Sequence, residues 1–144
     1  MKNILVLFIT LTFCSCLFSQ CKSPNYYGSK RVEYTINDTL GFTVFSKCKK
    51  PQSVVFSIEL FESLGNWQEF DSDIFVDAPK GMKIITLFPM KKRHFVFNTK
   101  DIDSVFFEDV KRVRFRIVSN LYSDDKIQII QTKVVKEFFV DYKE

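Results

Sequence analysis

Alternating side-chain positions mark the segment 54–70, VVFSIELFESLGNWQEF, as the stretch against which the rest of the chain is expected to pack. A period of two places alternate side chains on opposite faces of a β-strand. One face is expected to carry Val54, Phe56, Ile58 and Leu60, and the other Val55, Ser57, Glu59 and Phe61. Turn residues at 64–66 separate this strand from a second one that begins with Trp67. The pattern therefore predicts a β-hairpin at the centre of the core, with Trp67 as its anchor between two sheets.

Further short strands are predicted on both sides of this hairpin, because turn-forming residues divide the chain at regular intervals. The segment 22–31 is expected to be a lead-in without a strand, and 101–109 an irregular connection or one helical turn. The other strands are expected at 31–36, 40–46, 74–76, 82–88, 95–97, 111–121 and, as one or two strands, 127–140. About seven or eight short strands without a helical period predict an all-β antiparallel sandwich, with a closed barrel as the alternative.

The segment 111–121 alternates most regularly of all. Its apolar set is Val113, Phe115 and Ile117, and its basic set is Arg112, Arg114 and Arg116. One apolar face and one charged face are typical of an antiparallel sheet that covers a core on one side only. We therefore expect the three arginines to form a row on the outer face of a sheet.

Four short motifs follow one another between residues 40 and 121. They are Gly65-Asn66-Trp67, Leu87-Phe88-Pro89, Phe95-Val96-Phe97 and Arg114-Phe115-Arg116. In these motifs the chain resembles small immunoglobulin-like domains of exported bacterial proteins. It departs from them at 109–112, where DVKR stands in place of a G-x-Y-R turn. The resemblance implies an immunoglobulin-like β-sandwich and assigns no functional residue.

The segment 1–20 has the composition of a signal peptide. Lys2 supplies its positive charge, and the uncharged apolar run 4–13 is too short for a transmembrane helix. The chain is therefore predicted to be exported, to the periplasm, the cell envelope or the exterior. The mature part, 21–144, has the length and the apolar content of a single domain.

Two ways of processing this signal peptide remain open. Cleavage near Ser19 or Gln20 would release a soluble protein that begins close to Cys21. Lipoprotein processing would instead acylate Cys16, which follows the small residue Ser15. Membrane contact is expected only through such a lipid anchor.

Two cysteines remain in the mature part, Cys21 and Cys48. In an oxidising compartment they are predicted to form one disulfide, which would close a loop of roughly 28 residues. Metal ligation or a catalytic thiol would need partner residues, and the chain has a single histidine, His94. No metal and no cofactor is predicted.

Candidate catalytic residues are few. His94 has no nucleophile or orienting carboxylate at a fixed spacing, so a surface histidine is expected. Three aspartate pairs lack the frame of a calcium loop and are expected in solvated turns. These pairs are Asp71/Asp73, Asp101/Asp103 and Asp124/Asp125. The chain is predicted not to be an enzyme, with a small secreted hydrolase that uses loop carboxylates as the alternative.

The row Arg112, Arg114 and Arg116 is a candidate ligand face for an acidic glycan or a lipid headgroup. The alternative is a solvated face with cross-strand ion pairs to acidic residues, namely Glu59, Glu62 or Glu69. Nucleic acid is not an expected partner, because the protein is predicted to be exported and its net charge is only +4.

Doubled apolar residues give a second candidate surface. In a strand, adjacent side chains point to opposite faces, so one member of each pair leaves the core. The pairs are Val54-Val55, Ile84-Ile85, Phe106-Phe107, Ile129-Ile130, Val134-Val135 and Phe138-Phe139. Of these, Phe138 and Phe139 are the candidate interface with a protein partner.

These observations predict an exported, non-catalytic binding or interaction module of the cell envelope. Its ligand is expected to be an unknown protein or an acidic glycan or lipid. A secreted inhibitor or effector that binds a protein through an exposed edge strand is a further alternative.

Overall fold

The computed structural model describes residues 23–62, 64–70, 84–102 and 111–142. The predicted signal peptide 1–20, Cys21 and the expected strand at 74–76 lie outside the described residues. The aspartate pair Asp71/Asp73 also lies outside them, as does Asp103 of the pair Asp101/Asp103.

The described residues form nine β-strands and one short 3-10 turn at Thr99–Asp101. The strands are β1 Asn25–Gly28, β2 Glu33–Thr35, β3 Thr39–Phe45, β4 Gln52–Phe61, β5 Trp67–Phe70, β6 Ile85–Leu87, β7 Lys92–Asn98, β8 Arg112–Tyr122 and β9 Ile129–Asp141. One sheet has the order β1-β3-β7, and the other has the order β2-β9-β8-β4-β5 with β6 also paired to β4. All pairings are antiparallel except that of β2 with β9. The predicted all-β sandwich is confirmed.

The hairpin that the alternation predicts is β4 and β5. Its register pairs Ile58 with Phe70 and Phe61 with Trp67. The turn is closed by the amide of Glu62, which donates to the carbonyl of Asn66 at 2.9 Å. Gly65 has a φ of 84°, which glycine adopts without strain. Strand β4 also pairs with β8 and β6, so it joins three neighbours within one sheet.

The core lies between the two sheets and is rich in aromatic rings. Phe42 and Phe95 from the first sheet pack on Phe56 from the second, with ring centroids 5.2 and 4.9 Å from that of Phe56. All three side chains are buried. These contacts are offset or edge-on arrangements that add stability beyond burial alone. The apolar set predicted for β4 contributes Val54, Phe56 and Ile58 to this core, as expected.

One strand was not expected from the sequence. Strand β1 occupies the segment that was interpreted as a lead-in, and it pairs with β3. Its residues NYYG do not alternate between apolar and polar, so no period of two marks the strand. Tyr26 nevertheless packs against the core, because its ring meets that of Phe56 at 6.3 Å.

The prediction that Trp67 anchors the core is wrong. Trp67 is half-buried and lies on the outer face of its sheet, where its ring meets that of Phe61 at 5.1 Å. The cause is its register: Trp67 pairs with Phe61, which belongs to the outward-facing set of β4. Rings from β3, β7 and β8 fill the space between the sheets instead.

The prediction that Phe138 forms an interface is also wrong. Its side chain is fully buried and packs on Tyr34, Phe97 and Phe115, with centroid distances between 5.7 and 6.4 Å. Phe139 points to the opposite face and is half-buried beneath the guanidinium of Arg112, which lies 4.5 Å from its ring centroid. The ring of Phe138 is therefore buried in the core, and the ring of Phe139 is partly covered by Arg112.

Among the residues that the structure describes, no helix is long and apolar enough to span a bilayer. Cys48 is buried, with 4% of its surface exposed, and its predicted partner Cys21 lies outside the described residues. The Cys21–Cys48 disulfide therefore stays a prediction.

Candidate protein-binding edge

The three arginines of β8 form the expected row on the outer face of the larger sheet. Each lies beside a carboxylate that the strand register brings to it. Arg116 lies opposite Glu59 of β4 and Arg112 opposite Asp141 of β9, while Glu137 pairs with Arg116 and lies diagonal to Arg114. Opposite charges at such cross-strand positions attract one another.

All three guanidinium groups make ion pairs. Arg116 and Glu59 lie 2.5 Å apart, as do Arg114 and Glu137, and Arg112 pairs with Glu33 and Asp141. The hydrogen bond that Arg112 donates to the carboxylate of Glu33 raises the pKa of Arg112. Of the expected acidic partners, Glu59 is therefore found. Glu33, Glu137 and Asp141 lie on β2 and β9 and were not expected, because the sequence does not show which strands lie beside β8.

Aromatic rings cover the same row. The guanidinium carbon of Arg116 lies 4.2 Å from the Trp67 ring centroid, and that of Arg114 lies 5.4 Å from it. Cations over the faces of such rings are attracted to them. The positive charge of the row is thus compensated by carboxylates and rings, and the binding of an acidic ligand there stays a prediction.

Among the candidate catalytic residues whose side chains the structure describes, His94, Asp124 and Asp125 are exposed. His94 lies on β7, where its Nδ1 is 3.1 Å from the hydroxyl of Thr43 on the paired strand. Asp125 accepts hydrogen bonds from the Ser123 hydroxyl and the Ile127 amide, and these bonds lower its pKa. Within 23–62, 64–70, 84–102 and 111–142, no three His, Cys, Asp or Glu side chains are grouped as metal ligands would be.

Strand β9 offers a different surface. It pairs with β8 over its whole length, but β2 reaches only its last three residues, Phe139–Asp141. The opposite side of residues 129–136 has no strand partner among the described residues. We call this part of the strand the β9 edge. Its backbone amides and carbonyls are available there to an added strand.

Apolar side chains are exposed along the β9 edge and in the turn before it. Ile129 and Ile130 are 51% and 60% exposed, and Val134 is 42% exposed. In the turn, Ile127 is 76% exposed. Exposed branched apolar residues on an unpaired strand are typical of a site where another chain pairs.

Two irregularities of register shape this strand. The pairing of β8 with β9 shifts at Ile117/Val118 and again at Leu121/Tyr122, so that Val135 and Ile130 have no opposite residue. Such β-bulges increase the local twist and turn a strand away from its sheet. They also explain why the doubled residues 129–130 and 134–135 occur here, since a bulged residue departs from strict alternation.

The inner side of the β9 edge faces strand β1 of the other sheet. A cleft of about 130 Å³ lies between them, lined by residues that include Tyr26, Gly28, Val135 and Lys136. At its base the Tyr26 hydroxyl donates to Ser119 Oγ at 2.7 Å, and burial raises the pKa of this tyrosine. The β9 edge is thus the margin of an opening between the sheets.

The doubled apolar residues of the sequence included the residues of this site, although the predicted interface was a different pair. Ile129-Ile130 and Val134-Val135 are among the doubled apolar pairs, whereas the predicted interface is Phe138 and Phe139. Strand β2 covers Phe139–Asp141 and leaves residues 129–136 without a strand partner on that side. This parallel pairing joins residues about a hundred positions apart, so no local sequence pattern predicts it.

Comparison with known proteins gave likeness in structure only. No family model and no curated protein sequence matches the chain. Among solved structures, it is similar to a chain of the CsuC–CsuE chaperone–tip adhesion subunit pre-assembly complex from chaperone-usher pili of Acinetobacter baumannii. The TM-score is 0.57 at 12% identity, over 85% of this chain and 53% of that one.

Two further complexes give similar values. One is the Salmonella enterica SafA pilin with the SafB chaperone, with a TM-score of 0.52 and 10% identity over 87% of this chain and 56% of that one. The other is a chaperone–tip adhesin complex of CFA/I fimbriae biogenesis. Its TM-score is 0.51 at 15% identity, over 83% of this chain and 55% of that one. The chain spans about half the length of these structures. The likeness shows that the fold is an immunoglobulin-like β-sandwich.

Proposed function

We propose that this chain is an exported, non-catalytic binding module that holds an extended segment of a partner protein along the β9 edge. The observation that carries the proposal is the combination of exposed isoleucine and valine side chains with a strand side that no described strand covers. An added strand would gain main-chain hydrogen bonds from β9 and apolar contacts with its side chains.

Other strand margins of the described sandwich are less suited to this role. Strands β1 and β5 have four residues each, which limits the number of hydrogen bonds they can offer. Strand β7 has seven residues but begins with Lys92 and Arg93, which are exposed. Of its apolar side chains only Val96 is exposed, whereas the β9 edge exposes Ile129, Ile130 and Val134 to an added strand.

The structural neighbours support a protein partner. In the complexes named above, a chaperone occurs together with an adhesion subunit or a pilin. For the present chain we propose the same class of event, the holding of another protein, in the compartment to which the predicted signal peptide 1–20 directs it. A lipid on Cys16 would keep the module at a membrane surface.

The test is the binding of a short extended peptide to the purified mature protein. A fluorescent peptide of about eight residues that alternates valine and glutamine is titrated by anisotropy, beside the same peptide N-methylated at alternate residues. N-methylation removes the amide donors of one edge and leaves the side chains unchanged. We expect the unmodified peptide to bind and the methylated peptide to bind at least about tenfold more weakly.

A matched pair of variants locates the site. Val134→Asp places a charge on the β9 edge, whereas Val96→Asp places it on β7 at a similar exposure, 47% against 42%. Binding should weaken about tenfold in the first variant and remain unchanged in the second. Equal binding of both peptides, or equal effects of both variants, would contradict the proposal.

A further inference from the structure

The two faces of the β9 edge differ in charge. Val134 and Thr132 lie on the outer face, opposite Val118 and Asn120 of β8. Lys133 and Lys136 lie on the other face, opposite Ser119 and Ile117, both of which are buried in the sandwich. The lysines therefore point toward the space between the sheets, a direction in which apolar residues are usual.

Lys136 is held in the cleft beside β1. Its ammonium donates to the carbonyls of Ser29 and Arg31 at 2.5 and 2.6 Å, and it lies 5.7 Å from the ring centroid of Tyr34. The side chain is half-buried, and this burial lowers the pKa of the lysine. Carbonyl dipoles and a ring stabilise the ammonium without neutralising it.

Lys133 lies farther along the same face. Its ammonium is 5.2 Å from the ring centroid of Tyr26, which also lines the cleft, and the side chain is exposed. Among the described residues, no carboxylate lies within 4.0 Å of either lysine, whereas every arginine of the β8 row has one. The uncompensated positive charge of the β9 edge is thus confined to its cleft side.

A strand added to β9 would present its side chains alternately to these two faces. We infer, on the basis of the proposed function, that the partner segment carries carboxylate side chains at the positions facing Lys133 and Lys136 and apolar side chains at the positions facing Val134. Carboxylates placed there would meet two cations at the margin of a partly buried cleft. Such complementarity selects partners and fixes their register.

The test extends the peptide titration to three sequences that differ in charge alone. Peptides of about eight residues alternate valine with glutamate, glutamine or lysine, and their ends are acetylated and amidated so that no terminal carboxylate contributes. Partly exposed ion pairs change affinity by roughly twofold to fivefold each. We therefore expect the glutamate peptide to bind about tenfold more tightly than the glutamine peptide, and the lysine peptide to bind most weakly. Raising sodium chloride from about 0.05 M to about 0.5 M should reduce this preference.

Variants of Lys133 test whether this lysine contributes to the preference. Lys133→Gln should reduce the preference for glutamate over glutamine about threefold, while Lys92→Gln on β7 should leave it unchanged. Lys133→Glu should shift the preference toward the lysine peptide. Circular dichroism of each variant establishes that the fold is retained.

The outcomes separate the two proposals. Equal binding of the glutamate and glutamine peptides, or a preference that Lys133→Gln does not alter, overturns the inference and leaves strand pairing at the β9 edge intact. Failure of all three peptides to bind overturns the proposed function and this inference together.

Discussion

At the scale of single residues, size and hydrophobicity did not decide which aromatic rings are buried. Trp67 and Phe138 are both large and apolar, yet the first lies half-buried on an outer face and the second is fully buried. Trp67 pairs with Phe61, whose side chain points outward, whereas Phe138 pairs with Phe115 at the centre of the core. The face on which a ring lies follows from strand register.

These placements predict unequal losses of stability. Phe138→Ala should lower the free energy of unfolding by about 3–5 kcal/mol, because it empties a packed site in the core. Trp67→Ala should lower it by only about 1–2 kcal/mol, the loss of partial burial and of contacts with Arg114 and Arg116. Urea denaturation followed by circular dichroism measures both. Similar losses in the two variants would contradict the placement of Trp67.

At the scale of elements, the turn between β2 and β3 depends on one carboxylate. Asp38 Oδ2 accepts hydrogen bonds from the Thr35 amide at 2.8 Å and from Arg31 Nη2 at 2.5 Å. Asn37 has a φ of 81°, in the left-handed region that asparagine tolerates. Thr99 then ties this turn to the end of β7, because its amide donates to the Asp38 carbonyl at 2.9 Å.

The stabilisation from Asp38 is expected to depend on pH. The hydrogen bond from the Thr35 amide, followed by the Thr35 hydroxyl and Arg31, lowers the pKa of Asp38 in the folded protein. A lowered pKa means that this stabilisation is complete above the usual aspartate pKa, about 3.9, and is lost as the pH falls through the folded-state value. Wild type should therefore lose more stability between pH ~7 and pH ~3 than Asp38→Asn does.

Urea titrations at the two pH values measure this difference. Asp124→Asn, in the exposed turn between β8 and β9, is the matched control and should retain the pH dependence of wild type. If Asp38→Asn also retained it in full, the turn would not rely on the ionised carboxylate.

At the scale of the whole molecule, two sheets enclose an aromatic core and leave one long strand incompletely covered. Strand β2 closes the β9 side only at Phe139–Asp141, so residues 129–136 keep an unpaired side among the described strands. Lys136 lines the cleft between that side and β1, and Lys133 lies on the same face of β9. The proposed strand binding and the proposed preference for carboxylates both depend on how β1, β2 and β9 lie relative to one another.

The predicted disulfide and signal peptide are tested together on the mature protein. Its intact mass should correspond to a chain that begins near Cys21, or to one that carries lipid on Cys16. Reduction should add two hydrogen atoms and lower the stability by roughly 3–4 kcal/mol, on the chain-entropy model for a loop of this length. An unchanged mass after reduction would exclude the Cys21–Cys48 bond.

Local pattern was sufficient for much of the fold. Alternation with a period of two predicted β4 and β8, because the side chains of a strand point to alternate faces whatever its partners are. Turn-forming residues predicted the hairpin turn at Gly65. The alternation also predicted the outward row of arginines. Strand β1 was not predicted, because its residues do not alternate. The segment expected to form one or two closing strands is the single strand β9, in which two bulges interrupt the period.

The sequence by itself determined the class of the fold, the positions of most strands and the inner and outer faces of β4 and β8. These properties depend on backbone geometry and on burial of one face, which act over a few residues. Only the tertiary structure decided which apolar residues stay exposed, which carboxylates neutralise the arginines, and which strand keeps an unpaired side. Those outcomes depend on strand order and register between residues far apart in the chain, and no local pattern specifies such pairings.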